Sequence, residues 1–405
     1  MFNSRLTVGW LTDLCFGFAD FVEPRFLRVV CGFLFVVSGL PAGQMNGKPQ
    51  VLKIDQSQVT QPLGERWKTA KNLASKNDAS EGYWIGYCIS RMMEKNSYIG
   101  SFDTRHRDAI SLFETVYGYE NEADPKPDIN DCCGEFSGTM TVGNSNQKHE
   151  KMVKKIGVLV RYDGKGKQLH DVKVSNMSLH VNLDEKPIVW LESAEDNESI
   201  ELLSSLFSNA DDSEIKEDVV RAIGLHRASK EALSFLKAIV EGKEEEDVRE
   251  EAVFWIGQQE TDDVLPFLTR IARNDNSEDV REKAIFSISE VESEAAIDSL
   301  ISLSRKGHDK ETRSKALFWL AEKASKKALK TIKDVLDDDD EDTEVQRQAL
   351  FALTQANDDE NESVDELIKI AKTHHNRKIR KEAIFWLGQS ESPKAVDALV
   401  EIVKK

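Results

Sequence analysis

The chain has 405 residues, 40% of them hydrophobic and 31% charged, and its 72 acidic against 54 basic side chains leave a formal net charge of -18. That length exceeds one ordinary core and predicts two structural regions beside a processing segment. So negative a surface repels phosphates, which excludes a general nucleic-acid binder unless a local basic face overcomes the repulsion.

At the N-terminus, Arg25 and Arg28 precede an apolar run from Val29 to Val37, and the small residues Ser38, Gly39, Ala42 and Gly43 follow. Basic, apolar and small residues in that order are the pattern of a secretory signal, and the run is too short for a comfortable membrane span. Residues 1–43 are therefore expected to direct export, with the mature product beginning between Gly39 and Met45. An uncleaved N-terminal anchor is the alternative, and it is the only membrane contact foreseen. Met1 to Phe26 is only sparsely charged and not periodic, as a start codon placed too far upstream would produce.

Residues 44–195 lack internal repetition and predict a small α+β domain. Gly64 to Lys76 has helical character, and Gly82 to Ser90 that of a strand. Asp124 to Gln147, rich in Gly, Pro, Asn and Ser, predicts a long exposed loop. Ile156 to Tyr162, the turn Asp163-Gly164-Lys165-Gly166-Lys167 and Leu169 to Val174 predict a hairpin, and Pro187 to Leu191 a further strand. The glycine-lysine turn lacks the G-x-x-x-x-G-K-[ST] order and opens no helix, so it is a hairpin turn rather than a phosphate loop.

Beyond residue 43 only Cys88, Cys132 and Cys133 remain. In an exported protein Cys88 could pair with Cys132 or Cys133, but three cysteines cannot all pair internally. Cys132, Cys133 and His149 could be imagined as zinc ligands; adjacent cysteines, however, lack the gap that lets two thiolates converge on one ion. No G-x-S-x-G, H-E-x-x-H or dinucleotide fingerprint occurs. His106, His170 and His180 have no catalytic partner at motif spacing, so structural or surface roles suit them. The sequence names no catalytic residue, no metal ligand and no cofactor.

From residue 196 to 405 the chain repeats itself. Val248-Arg249-Glu250-Glu251-Ala252-Val253-Phe254-Trp255-Ile256-Gly257-Gln258 returns as Ile379-Arg380-Lys381-Glu382-Ala383-Ile384-Phe385-Trp386-Leu387-Gly388-Gln389. Aligned on the central small residue, the copies fall at Val219, Ala252, Ala284, Ala316, Ala349 and Ala383, in steps of 33, 32, 32, 33 and 34. A steady period of this size marks a solenoid, because one short unit cannot enclose its own apolar face. Each copied block predicts an inner helix, apolar nearly all round. More amphipathic outer helices are predicted over Asp263 to Arg273, Glu294 to Arg305, Ser325 to Leu336, Ser363 to Lys372 and Pro393 to Val403. Ser277, Thr261 with Asp262 and Asp263, and Ser392 before Pro393 supply helix starts. The whole chain is therefore expected to be mainly α, a C-terminal α-solenoid preceded by the small α+β domain, which would cap the first repeat.

The V-R-x-x-A-h-x-h-h-G pattern (h, apolar), with acidic or polar residues before it, resembles the short bacterial HEAT-like repeats first named from phycobilisome lyases, over residues 198–405. The resemblance implies that the Arg column, Arg249, Arg281, Arg313 and Arg380, is a structural ladder bonding acidic residues and helix carbonyls of the neighbouring unit. Gln346 interrupts that column and predicts a looser joint there. Some HEAT-like solenoids resemble deoxyhypusine hydroxylase, in which His-Glu pairs hold a di-iron centre. The matching slots here read Arg249-Glu250, Arg281-Glu282, Arg313-Ser314, Gln346-Arg347 and Arg380-Lys381. Guanidinium cannot ligate iron, so that chemistry is disfavoured. Chromophore attachment of the phycobilin-lyase kind is disfavoured too, by the export signal and the lack of a pigment-handling motif.

Two basic clusters, one at Lys323, Lys326, Lys327, Lys330 and Lys333, the other at Lys372, His374, His375, Arg377, Lys378 and Lys381, have the character of solvated faces. Without interleaved exposed aromatics they are not a nucleic-acid site. The inner helices instead repeat Phe254-Trp255, Phe318-Trp319 and Phe385-Trp386, with Phe286 and Phe351 continuing the Phe column. Helix neighbours point about 100° apart, so one column sits nearer the rim. Either both columns are inter-repeat core, or one of them, with Gln258, Glu322, Gln355 and Gln389 beside it, lines a peptide groove on a concave face. The function this suggests is a non-catalytic scaffold of the bacterial cell envelope, periplasmic, binding another protein or peptide and no nucleic acid. The alternative is a metal-binding or enzymatic repeat protein.

Overall fold

A computed structural model describes residues 49–404, apart from 78–80, 96, 104–109, 120–134, 142–149, 227–228, 260, 306–308, 324, 340 and 356–359. The expected signal segment, Cys132, Cys133, His106 and His149 lie outside the described residues. The chain divides into two compact units between Ser199 and Ile200.

The first unit is built on a five-stranded sheet of order β1-β7-β2-β5-β6, from β1 (Val51–Lys53), β2 (Tyr83–Glu94), β5 (Lys151–Tyr162), β6 (Leu169–Asn176) and β7 (Ile188–Ser193). β7 runs parallel to both β1 and β2, whereas β2 to β5 and β5 to β6 are antiparallel. Because side chains alternate along a strand, β2 serves two faces. Tyr83 stacks on Tyr162 at 5.8 Å, and Tyr87 meets Trp67 edge-on at 6.3 Å, where helix α1 (Leu63–Lys76) covers the sheet. On the opposite face Trp84, Cys88 and Trp190 pack with Leu112, Phe113 and Val116 of α2 (Leu112–Tyr117). With both faces covered, the strand is apolar almost throughout, as buried central strands are. Gly86 sits where a Cβ would come within 2.8 Å of the Trp190 ring.

The β5–β6 hairpin closes through Gly166, at φ +66, while Oδ1 of Asp163 accepts from the amides of Lys167 and Gln168. The strands Val51–Lys53 and Ser97–Asp103 were not foreseen, and two further elements differ from the sequence expectation. Helix α2 was without a signal of its own, and the segment 124–147 is not all loop: β4 (Glu135–Thr141) lies within it and pairs antiparallel with β3 (Ser97–Asp103). Phe136, Thr139 and Thr141 are strand-favouring residues inside a stretch whose Gly, Pro and Asn content masks them.

After α3 (Asp196–Ser208), the second unit alternates inner and outer helices. The inner ones are α4 (Ser213–Gly224), α6 (Glu246–Gly257), α8 (Glu278–Glu290), α10 (Lys310–Glu322), α12 (Thr343–Gln355) and α14 (Arg377–Gln389). The outer ones are α5 (Lys230–Glu241), α7 (Val264–Asn274), α9 (Glu294–Leu303), α11 (Lys326–Leu336), α13 (Glu360–Thr373) and α15 (Pro393–Val403). Each inner helix packs on the next inner helix, and each from α6 onward packs on the outer helix that precedes it. The aligned small residues Val219, Ala252, Ala284, Ala316, Ala349 and Ala383 are all fully buried where the inner helices approach. Asp212, Ser277, Asp309 and Asn376 cap inner helices through side-chain oxygens, and Ser229, Ser293 and Ser325 cap outer ones. Each such cap contributes about 1 kcal/mol.

The arginine column forms the expected ladder at Arg249, Arg281 and Arg313, whereas Arg380 donates to the carbonyls of His374 and His375. Arg249 pairs with Asp275 and donates to the Val240 carbonyl at 2.9 Å; Arg281 lies 3.7 Å from Asp309; Arg313 pairs with Glu341, and both side chains are almost wholly enclosed. At Gln346 the rung is neutral but made. Its Nε2 donates to the Leu336 and Asp338 carbonyls at 3.3 and 3.0 Å, and its Oε1 accepts from Asn376 at 3.3 Å.

Candidate functional site

The aromatic columns join into one continuous run across the inner helices. Successive ring centroids lie 5.5 Å apart for Trp255–Phe254, 6.4 Å for Phe254–Phe286, 5.1 Å for Phe286–Trp319 and 5.0 Å for Trp319–Phe318. The run continues at 6.4 Å to Phe351, 5.7 Å to Trp386 and 5.3 Å to Phe385. Phe254 on Phe286 and Phe318 on Phe351 are face-stacked, with interplanar angles of 9° and 6°. Offset-stacked and edge-on pairs of this kind contribute about 0.5 to 1.5 kcal/mol each beyond their buried area.

The arrangement has a period of two repeats, set by what occupies the Trp slot. The slot reads Trp255, Ser287, Trp319, Ala352 and Trp386. A small residue in every second repeat leaves the space into which the next indole leans: Trp319 onto Phe286 and Trp386 onto Phe351. Close backbone approach makes the same room elsewhere, since a Cβ on Gly224 would lie 2.3 Å from Trp255 and one on Gly257 2.8 Å from Ser287.

The columns differ in exposure. Trp255 is 4% exposed and its Nε1 donates to Glu251 at 2.8 Å, so it is core; Trp319 and Trp386 are half-buried. Phe254, Phe286, Phe318 and Phe351 are half-buried, and Phe385 is 53% exposed. The Phe column is thus the one nearer solvent. Gln258 is half-buried, while Glu322, Gln355 and Gln389 are exposed at the C-terminal ends of their inner helices. Gln259, beside the predicted Gln258, is the structural residue of that pair: it is buried, with Nε2 donating to the Gly224 carbonyl at 2.9 Å.

Beside the rings runs a staircase of ion pairs from each inner helix to the next: Glu250 to Lys283 at 3.5 Å, Glu282 to Lys315 at 2.6 Å and Arg347 to Glu382 at 3.5 Å. The polarity of the step reverses between the second and third of these. At the start of the array Arg221 bridges Asp218 and Glu251. Partial burial, with Asp247 and Glu251 adding like charge, pushes the Glu217 carboxyl up to about 7. Burial and the neighbouring Asp279 and Asp247 also raise Glu250, against the pull of Lys283.

Three lysines of the basic clusters pair with neighbouring helices. Lys327 pairs with Asp298, Lys333 with Glu366 at 3.1 Å and Lys372 with Glu401 at 2.7 Å, continuing a line that includes Arg270–Glu241 and Lys394–Asp365. His374 is buried, with Nε2 2.8 Å from the Leu336 carbonyl, and His180 places Nδ1 2.9 Å from the Ile110 carbonyl. In the first unit Cys88 is buried and its thiol is pushed up to about 11 by that burial, which leaves little nucleophilic thiolate. Among the described residues no three His, Cys, Asp or Glu side chains converge on a point where a metal could sit.

Comparison with known proteins bears on the second unit. Solved structures with similar folds include the complex of CpcE and CpcF of phycocyanin lyase from Nostoc sp. PCC7120, at 19% identity over 50% of this chain and 80% of that one, TM-score 0.29. Human deoxyhypusine hydroxylase in complex with glycerol is 15% identical over 50% of this chain and 85% of that one, TM-score 0.23. The protein smu.31 from Streptococcus mutans UA159 is 17% identical over 46% of this chain and 96% of that one, TM-score 0.35. No curated protein matches the sequence. The family model of HEAT repeats matches residues 233–321 and 329–405, and the C-terminal region of this chain is accordingly an array of HEAT repeats.

Proposed function

We propose that this chain is a non-catalytic interaction scaffold of the bacterial cell envelope, holding a partner protein or peptide on a concave face formed by its inner helices. The observation that carries the reading is the half-exposed Phe column, five rings in consecutive repeats ending at Phe385. Aromatic rings held rigid by their neighbours supply large contact area at little ordering cost, which is why they dominate binding hot spots. A helical repeat array offers such a surface along its whole length. Export rests on the basic, apolar and small-residue order of residues 25–43.

The test is capture of partners from envelope extract by the full chain and by the triple variant Phe254→Ala, Phe318→Ala, Phe385→Ala. The reading expects lost capture with a folded array, monitored by circular dichroism. Undiminished capture would overturn it. Trp255→Ala serves as the control for damage to the core, and fractionation of the producing cell with N-terminal sequencing of the product tests export.

A further inference from the structure

The charges flanking the Phe column change sign along the array. Five residues before each central small residue stand Glu214, Asp247, Asp279, Glu311, Glu344 and Lys378; two before it stand Glu217, Glu250, Glu282, Ser314, Arg347 and Lys381. Both columns begin acidic and end basic. At the outermost positions the first turns carry Glu246 and Asp247, then Glu278 and Asp279, then Lys310 with Glu311, then Glu344 alone, and finally Arg377 with Lys378. Of these only Glu311 is half-buried and the rest are exposed.

Acidic residues in a first helical turn have an ordinary explanation, since they complement the helix dipole. That explanation demands the same sign in every repeat, and α14 has Arg377 and Lys378 in its first turn and no acid there. It also does not reach the second column, which lies in the following turn. Glu250, Glu282 and Arg347 of that column pair with Lys283, Lys315 and Glu382 of the next inner helix, so the exposed first-turn charges carry the gradient, and a ligand that spans the repeats in one direction accounts for it.

Resting on the scaffold reading above, we infer that the partner is an extended polypeptide segment with Lys or Arg toward one end, Asp or Glu toward the other and apolar side chains between. It lies along the Phe column with its basic end over α6 and α8 and its acidic end over α14. Helices pack about 8 to 10 Å apart, so the four steps from α6 to α14 span roughly 36 Å. At about 3.3 Å per residue that is a segment of roughly 11 residues. Burial raises the carboxyls of Glu217 and Glu250, and the like charge of Asp247 beside both adds to the shift; that second part is what an added cation would relieve.

The test uses the full chain and two synthetic probes of alternating sequence, one of Lys and Phe, the other of Glu and Phe, each carrying a central photoreactive benzoylphenylalanine. Cross-links mapped by mass spectrometry are expected within α6 and α8 for the Lys probe and within α12 and α14 for the Glu probe. Asp247→Asn with Asp279→Asn should weaken the Lys probe about tenfold at low salt and leave the Glu probe unchanged, with the melting curve confirming the fold. Cross-links of both probes in the same repeats, or failure of either to bind, would overturn the inference. The extract experiment above does not depend on these charges: capture lost in the triple Phe variant but retained in the double Asn variant would keep the scaffold and discard the polarity.

Discussion

Asn376 donates from Nδ2 to Oε1 of Gln346 at 3.3 Å, making a neutral rung where the neighbouring joints use Arg249 with Asp275 and Arg313 with Glu341. Gln346 is fully buried and its amide also reaches the carbonyls of Leu336 and Asp338. Gln and Asn stand at this joint where Arg and a carboxylate stand at the preceding one, and both joints keep contacts to carbonyls. Gln346→Ala should cost about 1 to 3 kcal/mol, because it removes two donated hydrogen bonds and the acceptor that faces Asn376. Restoring the charged rung with Gln346→Arg and Asn376→Asp should be less costly than the sum of the single changes. A double-mutant cycle in urea measures that coupling.

The enclosed Arg313–Glu341 pair, with side chains only 8% and 2% exposed, is far more sensitive. Removing one partner strands a buried charge, so Arg313→Met should cost about 3 to 5 kcal/mol. Replacing both with apolar residues should recover most of that loss. Equilibrium unfolding of the three variants decides this.

The two aromatic columns should separate in stability measurements. Trp255→Ala opens a cavity against Gly224 and should cost about 3 to 5 kcal/mol, whereas Phe385→Ala, half in solvent already, should cost under about 1 kcal/mol. Equal losses in thermal or urea unfolding would contradict the assignment of Trp255 to the core and Phe385 to the surface.

Glu217 gives the array a pH dependence of definite sign. Its folded value of about 7 lies above the ordinary carboxylate value of 4.5, so the native state holds the proton more tightly than the unfolded chain. The contribution is fully present below pH 4.5 and is lost as pH rises toward 7. After discounting for its partial exposure, the loss is about 1 kcal/mol. Glu217→Gln should flatten that part of the stability profile, measured by urea midpoints between pH 4.5 and 8.

The repeats were legible because each copies the same burial pattern: Val248, Ala252 and Ile256 recur as Val280, Ala284 and Ile288, all fully enclosed. The hairpin was legible from Gly166 and the alternation around Val172 and Val174, and the predicted outer helices match α7, α9, α11, α13 and α15 to within a few residues at each end. The parallel seat of β7 between β1 and β2 was not, since non-local parallel pairing leaves no local signature. Nor was the exposure of the Phe column over the Trp column, which depends on the helix-to-helix approach at Gly224 and Gly257 rather than on either aromatic residue. The sign change from Glu250 to Lys381 was readable in the aligned copies; only the placement of those positions beside the rings gives it meaning.

The alternation of Trp255, Ser287, Trp319, Ala352 and Trp386 makes the natural building block a pair of helical hairpins rather than one. Deleting a single unit would throw the array out of phase, setting two indoles against each other or two small side chains across a void. Deleting two adjacent units would restore the phase. Shortened or lengthened versions of this array should therefore fold well only when units are removed or added by twos.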